Sequence, residues 1–223
     1  MQVTVALINY KSPIIERLDE VVIPTLAHYH GADFEILVVD NEPEPNRELI
    51  EYLRECLVPF KYFWNEGQNL MVAASKNIIY EEAKYPFLVY LCANHGRMYD
   101  PTWLADMLKP FEVPEVAMTG TLTTFPLSHI DEGDGEGIFV QGGVLAARVE
   151  VMRRHPMSPL FPHYHSDKWI GFELQKHGYK LAHVKTILSL WRQKAPEQHD
   201  YKYVHDEDFV ETPLEGKNVQ NSE

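Results

Sequence analysis

Polar side chains suited to ligand binding follow an apolar run in the middle of the chain. The run is Phe87–Leu91 (FLVYL), which is rich in β-formers and too short for a helix, so it predicts a strand buried on both faces of a parallel sheet. Ligands bind beyond the carboxyl ends of strands in open α/β sheets, so Asn94 and His95 are expected on the floor of a site. An ordinary strand-to-helix loop explains the same residues without a ligand.

A pair of histidines later in the chain offers a metal-binding group. His163 and His165 are separated by one residue, so both imidazoles lie on one side of the chain if the segment is extended. The chain contains 11 histidines, and a pair with this spacing also arises by chance. On its own the pair is suggestive only.

Strand-like and helix-like segments alternate through the first part of the chain. Strands are predicted at 3–8, 34–39, 60–64 and 87–91, and helices at 14–30, 47–56, 70–83 and around Trp103, Leu104 and Met107. Asn46 is suited to cap the second helix. Such alternation predicts parallel βαβ units with right-handed crossovers. A dinucleotide-binding Rossmann fold is disfavoured, because no Gly-x-Gly-x-x-Gly turn follows the first strand, and no P-loop motif occurs either.

The second half of the chain changes character. Strands are predicted at 116–124 and 138–148, the latter interrupted by Gly142 and Gly143, where backbone and ligand can approach closely. Helices are predicted from residue 149 and over 168–177, and one or two strands within 179–190. The acidic, glycine-rich segment 131–137 predicts a mobile loop. Its spacing does not match an EF-hand calcium loop.

Composition limits the class of protein. A chain of 223 residues can bury a sizeable core, and its net charge of −13 disfavours a broad nucleic-acid-binding surface. The two cysteines, Cys56 and Cys92, do not make a disulfide framework, which favours a reducing, cytoplasmic location. No stretch has the pattern of a signal peptide or the length of a membrane span. We expect one domain over 1–192 and a polar, partly disordered extension over 193–223.

Six segments, in this order, resemble the family 2 glycosyltransferases of the GT-A fold. They are VTVALINYKSP, FEILVVDNEP, NEGQNLMVAASKNIIYEEA, FLVYLCANH, IFVQGGVLAARVEVM and HSDKWIGFELQKHGYKL. Each segment alone is unspecific, and the resemblance rests on the whole set, which spans residues 1–190. It implies an α/β fold of the GT-A type, with a Rossmann-like mixed central sheet flanked by helices. Residues 1–110 would form the nucleotide-binding half and 111–192 the acceptor-binding half.

The resemblance also implies a reaction and a set of site residues. The reaction is transfer of a sugar from a UDP-, GDP- or dTDP-sugar to the hydroxyl of an unknown acceptor. The position of Asp167 matches the general base of an inverting enzyme, and its alternative role is a helix cap. The nucleotide-binding positions are Asn9, Tyr10, Asp40, Asn65 and Lys76. The acceptor-binding positions are Gly142, Gly143, Tyr164 and Trp169. The metal-binding positions are Asn94, His95 and, from the histidine pair, His165.

The chain departs from the family at its metal-binding motif. The Asp-x-Asp carboxylates of most relatives are replaced by Cys92-Ala93-Asn94-His95, which contains no carboxylate. In one hypothesis Mn²⁺ or Mg²⁺ binds through His95 with help from the histidine pair. In the other, Arg97 and Lys76 balance the charge of the leaving diphosphate without metal.

Loss of the carboxylates leaves a second class of function open. A non-catalytic relative would bind a nucleotide sugar or glycan as a regulatory module, although the retained Asp167 argues against it. A nucleotidyltransferase is disfavoured because the loop at residues 9–13 lacks the glycines that this class needs. Transfer onto nucleic acid is disfavoured by the net charge.

Overall fold

A mixed sheet forms the centre of the protein. The computed structural model describes residues 1–29, 33–93, 95–98, 102–123, 140, 142–163 and 166–191. Within these residues the strands are β1 (Gln2–Asn9), β2 (Asp33–Asp40), β3 (Phe60–Trp64), β4 (Phe87–Leu91), β5 (His95–Met98), β6 (Val116–Thr123), β7 (Val144–Arg148) and β8 (Lys180–Trp191). They join into one 8-stranded sheet in the order β3-β2-β1-β4-β7-β6-β8-β5. The predicted α/β fold with a mixed central sheet is confirmed.

The first four strands are parallel, as their alternation with helices predicts. β1 lies between β2 and β4, and β3 lies on the outer side of β2. Along β1, Val3, Val5 and Leu7 pack into one core, whereas Ala6 packs into the core on the opposite face. Because both faces of these strands are covered, their sequences are apolar throughout instead of alternating with polar residues.

Helices cover both faces of the sheet. They are α1 (Ile14–Arg17), α2 (Ile23–His28), α3 (Arg47–Glu55), α4 (Met71–Glu82), α5 (Trp103–Leu108), α6 (Val149–Arg154) and α7 (Ser166–Lys176). The helices α1, α2, α3 and α5 contribute to the core on one face, and α4, α6 and α7 to the core on the other. The functional groups considered below lie largely on α4 and α7, which share a face.

Two helical segments differ from their predicted bounds. The helix predicted at 14–30 is α1 and α2 joined by a π-helical turn at Leu18–Val22, and Pro24, which has no N–H to donate to the preceding turn, lies in the first turn of α2. The helix predicted at 168–177 begins two residues earlier, at Ser166, and Gly178 follows it with φ +81°. The predicted cap of α3 is confirmed, because Asn46 Oδ1 accepts a hydrogen bond of 3.0 Å from the Leu49 N–H.

The second half of the sheet contains antiparallel strand pairs. β7 is antiparallel to both β4 and β6, and β6 is parallel to β8. Of the strand predicted at 138–148, residues 144–148 form β7, and Gly142 and Gly143 form a turn before it, as the predicted interruption required. Residues 138, 139 and 141 lie outside the described residues. Residues 180–191 form the single strand β8. β5 was predicted as a loop, because its four residues, HGRM, carry no strand pattern. Its hydrogen bonds to β8 come from a segment about ninety residues away, which local sequence does not reveal.

Several sequence expectations lie outside the described residues. These are the mobile loop at 131–137 and the C-terminal extension at 193–223. The boundary of a single domain at residue 192 and its division at residue 110 stay predictions. Among the helices of the described ranges, none combines the length and apolar character needed to cross a bilayer.

Candidate active site at the carboxyl edge of the sheet

The carboxyl ends of the parallel strands meet at one edge of the sheet. Asn9, the last residue of β1, lies opposite Asp40, the last residue of β2, which lies opposite Trp64 of β3. β7 starts at the same edge because it runs against β4, and the Cys92 N–H donates a 2.7 Å hydrogen bond to the Gly143 carbonyl just before β7. Predicted residues from both halves of the chain therefore share this edge.

Asp40 is fully buried and surrounded by protein donors. Its Oδ1 accepts hydrogen bonds from Asn9 Nδ2 at 2.9 Å and from the Glu42 N–H at 3.2 Å. Its Oδ2 accepts from the Asn46 N–H at 3.1 Å and from the Tyr62 hydroxyl. Burial, together with this hydrogen bond to Asp40, raises the pKa of Tyr62. The Asp40 carboxylate thus joins the ends of three strands to the start of α3, and its predicted role toward a nucleotide base stays a prediction.

Asn41 connects the same edge to α4. Its side-chain amide donates a 3.0 Å hydrogen bond to Ser75 Oγ, and its Oδ1 accepts one of 2.6 Å from Asn65 Nδ2. Asn65 also donates its backbone N–H to the Asp40 carbonyl at 3.1 Å. Gly67 closes this turn with φ +79°, and a Cβ there would lie 2.9 Å from the Pro43 carbonyl oxygen. Asn65 therefore anchors the loop after β3 to Asn41, which in turn contacts α4 through Ser75.

Replacing Asp40 by Asn is expected to destabilise the fold. Each carboxylate oxygen accepts two hydrogen bonds, so an amide NH₂ in place of either oxygen loses both of them in a buried site. The expected loss is about 2–4 kcal/mol of unfolding free energy, or a fall in Tm of roughly 5–15 °C. Thermal unfolding of the purified variant measures it. The control is Asp33→Asn, an exposed aspartate at the opposite end of β2, whose Tm should stay within about 1 °C; equal losses in both variants would contradict the structural role of Asp40.

Lys76 is a buried lysine on α4. It is 1% exposed, its Nζ donates a 3.2 Å hydrogen bond to the Gly142 carbonyl, and it lies 4.3 Å from the centre of the Tyr90 ring. Desolvation lowers the pKa of its ammonium to about 8, and the negative charge of Asp167 acts in the opposite direction. The group stays protonated at neutral pH beside a carbonyl, an aromatic face and a carboxylate.

Asp167 contacts the same glycine through its N–H. Its Oδ2 accepts a 3.1 Å hydrogen bond from the Gly142 N–H, and its Oδ1 accepts one of 2.9 Å from the Lys168 N–H. Asp167 is the second residue of α7, so it lies within the helix and its carboxylate is in the first turn. The side chain is partly exposed, and each carboxylate oxygen keeps a lone pair beyond the hydrogen bond described. Predicted residues from the nucleotide, acceptor and catalytic sets thus converge on Gly142.

Gly142 has little room for a side chain. A Cβ there would lie 3.2 Å from Lys76 Nζ, 3.6 Å from Asp167 Cβ and 3.7 Å from Asp167 Oδ2. The absence of a side chain lets the ammonium and the carboxylate both reach the backbone of Gly142. Gly143, also predicted, accepts the Cys92 N–H through its carbonyl, which holds the Gly142-Gly143 segment against the end of β4.

The remaining predicted residues are less completely described. Tyr10 is half-buried directly after β1, and the Trp169 ring lies 6.4 Å from that of Phe161 at the base of α7. His95 is the first residue of β5, and only its backbone is described. Asn94, Tyr164 and His165 lie outside the described residues. The roles given to all these residues stay predictions.

Sequence reasoning missed three contributors to this edge. Tyr90 provides the ring beneath Lys76, and Ser75 connects α4 to Asn41. Arg17 of α1 is 1% exposed and donates from Nη2 to the Ala93 carbonyl at 3.3 Å, so a buried guanidinium lies next to the segment that replaces the metal motif. The sequence carried no signal for these contacts, because they depend on how the helices pack against the sheet.

Solved structures of glycosyltransferases share this architecture. The mannosyltransferase PcManGT from Pyrobaculum calidifontis, in complex with GDP-Man and Mn²⁺, matches with a TM-score of 0.68 at 15% identity, over 89% of this chain and 59% of its own. GalNAc-T7 with UDP, GalNAc and Mn²⁺ matches with a TM-score of 0.70 at 15% identity, over 87% of this chain and 44% of its own. The chain has the fold of the GT-A glycosyltransferases.

A third GT-A neighbour was solved with a different nucleotide sugar. The 1-349 fragment of S. aureus TarS, in complex with UDP-GlcNAc, matches with a TM-score of 0.64 at 14% identity, over 90% of this chain and 62% of its own. No family model and no curated protein matches the chain. The chain thus spans from 44% to 62% of the length of these three neighbours.

The described side chains near Lys76 do not fit a manganese site held by carboxylates. Among the described residues in contact with Gly142, Asp167 supplies a single carboxylate. A protonated, buried lysine next to it repels a divalent ion. In the described part of the site, the Lys76 ammonium lies where it adds positive charge beside Asp167. Metal binding through Asn94, His95 and His165 stays a separate prediction.

Proposed function

We propose that this chain is a glycosyltransferase that moves a sugar from a nucleoside diphosphate to an acceptor hydroxyl with inversion. The observation that carries the proposal is that Lys76 and Asp167 both contact Gly142: Lys76 Nζ donates to its carbonyl, and Asp167 Oδ2 accepts from its N–H. These contacts occur at the carboxyl edge of a GT-A sheet, where α/β folds bind their ligands. The neighbours solved with GDP-Man, UDP and UDP-GlcNAc support the same class of donor.

Lys76 would bind the diphosphate of the donor. Negative charge builds up on the bridging oxygen as the bond from the anomeric carbon to the diphosphate breaks, and a fixed cation stabilises that charge without reorganisation. Burial makes the interaction stronger than the same contact in water. The contact with the Tyr90 ring holds the ammonium in one position.

Asp167 would act as the general base. The acceptor oxygen forms a bond to the anomeric carbon while the bond from that carbon to the diphosphate breaks and its electron pair leaves with the diphosphate. The proton of the acceptor hydroxyl passes to the Asp167 carboxylate. The hydrogen bonds from Gly142 and Lys168 fix the direction of the carboxylate, and its partial exposure gives an acceptor access.

The acceptor would lie on the α7 side of the site. Gly142 donates its N–H to Asp167, and Trp169 lies two residues after Asp167 in α7. A partly exposed indole suits the apolar face of a sugar ring. We propose Tyr164 and Trp169 as the walls of this subsite.

A binding-only relative is the second candidate. The observation that favours it is the absence of a carboxylate at residues 92–97, where GT-A enzymes of this type carry their metal ligands. It would bind the donor through the same Lys76 but turn over none of it.

Nucleotide release from a panel of UDP-, GDP- and dTDP-sugars separates the two candidates. We expect release from at least one donor, and we expect that release to continue in EDTA, because Lys76 supplies the positive charge. If release stops in EDTA and returns with Mn²⁺, the positive charge that stabilises the diphosphate comes from a metal ion, for which Asn94, His95 and His165 are the proposed ligands. A donor that raises Tm without any release would identify the binding-only relative.

A further inference from the structure

A second cluster of metal-binding side chains lies at the far end of α7. It consists of His155, just after α6, with Glu173 and His177 at the end of α7. Asp167 and His177 are ten positions apart on one helical segment, which is about 15 Å along the axis. The cluster is thus separate from the Gly142 region and plays no part in the proposed transfer.

The backbone brings the three side chains together. Glu173 and His177 are four residues apart, so they project from the same side of α7. α6 ends at Arg154, and the His155 N–H still donates to the Val151 carbonyl at 3.0 Å, so His155 continues the end of that helix toward α7. The imidazoles of His155 and His177 have their centroids 4.3 Å apart, and the His155 ring is also packed edge-on against Tyr179.

The distances are close to those of a metal site. One ligand atom from each residue lies within 4.8 Å of the other two, and His177 Nε2 is already 3.1 Å from Glu173 Oε1. Tetrahedral zinc with bonds near 2.0–2.2 Å needs its ligand atoms about 3.4 Å apart. Small torsional changes of partly exposed side chains would close the remaining gap.

The donor set selects the type of ion. Two imidazole nitrogens and one carboxylate oxygen, with a fourth position open to water, form a set that zinc uses in proteins. Calcium and magnesium prefer oxygen ligands alone, so they are disfavoured here. Lys176 is exposed, and its Nζ forms an ion pair with Glu173 at 3.8 Å. A metal ion would have to replace only this weak surface ion pair.

We propose that His155, Glu173 and His177 bind a zinc ion that joins the end of α6 to the end of α7. Such an ion would bind to the folded chain and raise its Tm. At a hundredfold excess of free zinc over Kd, the expected rise is about 5–10 °C for a chain of this size. Because the site lies away from Lys76, the rise is independent of any nucleotide.

Calorimetric titration of the full chain with zinc chloride, after chelation and desalting, tests the proposal. We expect one zinc per chain, with affinity at least tenfold weaker in His155→Ala and in His177→Ala. His28→Ala is the matched control, since His28 is an exposed histidine on α2, and its affinity should match that of the unmodified chain. Asp167→Asn should also bind zinc normally, and magnesium chloride should give no binding heat.

Three results would overturn the proposal. They are the absence of zinc uptake by the unmodified chain, unchanged affinity in both histidine variants, and loss of uptake in His163→Ala with uptake retained in His155→Ala. Should His155→Ala fail to fold, Glu173→Gln and His177→Ala provide the same test. Both of these side chains are partly exposed, and their removal leaves no buried cavity.

Discussion

Replacing Asp167 by Asn is expected to lower kcat for sugar transfer by about 10²–10⁴-fold, the usual contribution of a general base. Asparagine has nearly the same shape and can still accept the Gly142 N–H, so the local backbone should be preserved. It cannot take the acceptor proton. Donor affinity, measured by calorimetry, should therefore stay within about threefold of the original.

Asp33→Asn is the control for this measurement. Asp33 starts β2 at the opposite edge of the sheet and is exposed, so its kcat should be unchanged. If the Asp167→Asn variant transferred sugar at the original rate, Asp167 would not be the general base and would have only a structural role in the first turn of α7. A loss of donor affinity equal to the loss of kcat would instead indicate a binding role.

Replacing Lys76 by Met is expected to weaken binding of the diphosphate and to stabilise the fold. Loss of one charged hydrogen bond reduces affinity for a nucleoside diphosphate by about 10–150-fold. A pKa lowered from 10.5 to about 8 means that the charged, desolvated lysine costs about 3 kcal/mol at neutral pH. Methionine removes that cost but also the contacts with Gly142 and Tyr90, so the net gain is about 1–3 kcal/mol.

The lowered pKa of Lys76 also predicts how the stability of the fold and its diphosphate affinity change with pH. The folded-state pKa lies below that of the unfolded chain, so the cost of Lys76 is fully present below pH 8 and disappears as the pH rises from about 8 toward 10.5. Diphosphate affinity should fall over the same range, because the ammonium loses its proton. In Lys76→Met both trends should be absent.

Thermal unfolding and calorimetry with UDP and GDP, at several pH values, provide these readings. Lys84→Met is the control, since Lys84 is exposed and lies before β4, at the opposite edge of the sheet. Neither its stability nor its nucleotide affinity should change. A Lys76→Met variant that is less stable and binds nucleotide normally would show that Lys76 has a purely structural role.

The sheet could be predicted from sequence because its signals are local. The strands at 60–64 and 87–91 have the predicted bounds, since each is a short run of β-formers between turn residues. β5 could not be predicted, because its pairing with β8 is set by tertiary structure. The π-helical turn after α1 was also missed, as its residues have ordinary helical spacing.

The site was only partly predictable. Lys76 and Gly142 are 66 residues apart, and Gly142 and Asp167 are 25 apart, so no spacing rule connects them and resemblance to a family was needed to select them. Resemblance could not reveal that Asp40 is enclosed by four protein donors, because that depends on which side chains the register of β2 and β3 brings together. The cluster of His155, Glu173 and His177 was not predicted either, because it depends on how the ends of α6 and α7 pack together.

A crystal structure of the chain with a nucleotide sugar tests the central claim most directly. We expect a diphosphate oxygen within about 2.7–3.2 Å of Lys76 Nζ. We also expect the Asp167 carboxylate on the face of the anomeric carbon opposite the diphosphate. A donor bound elsewhere on the sheet edge, or an Asp167 side chain turned away from the sugar, would contradict the account.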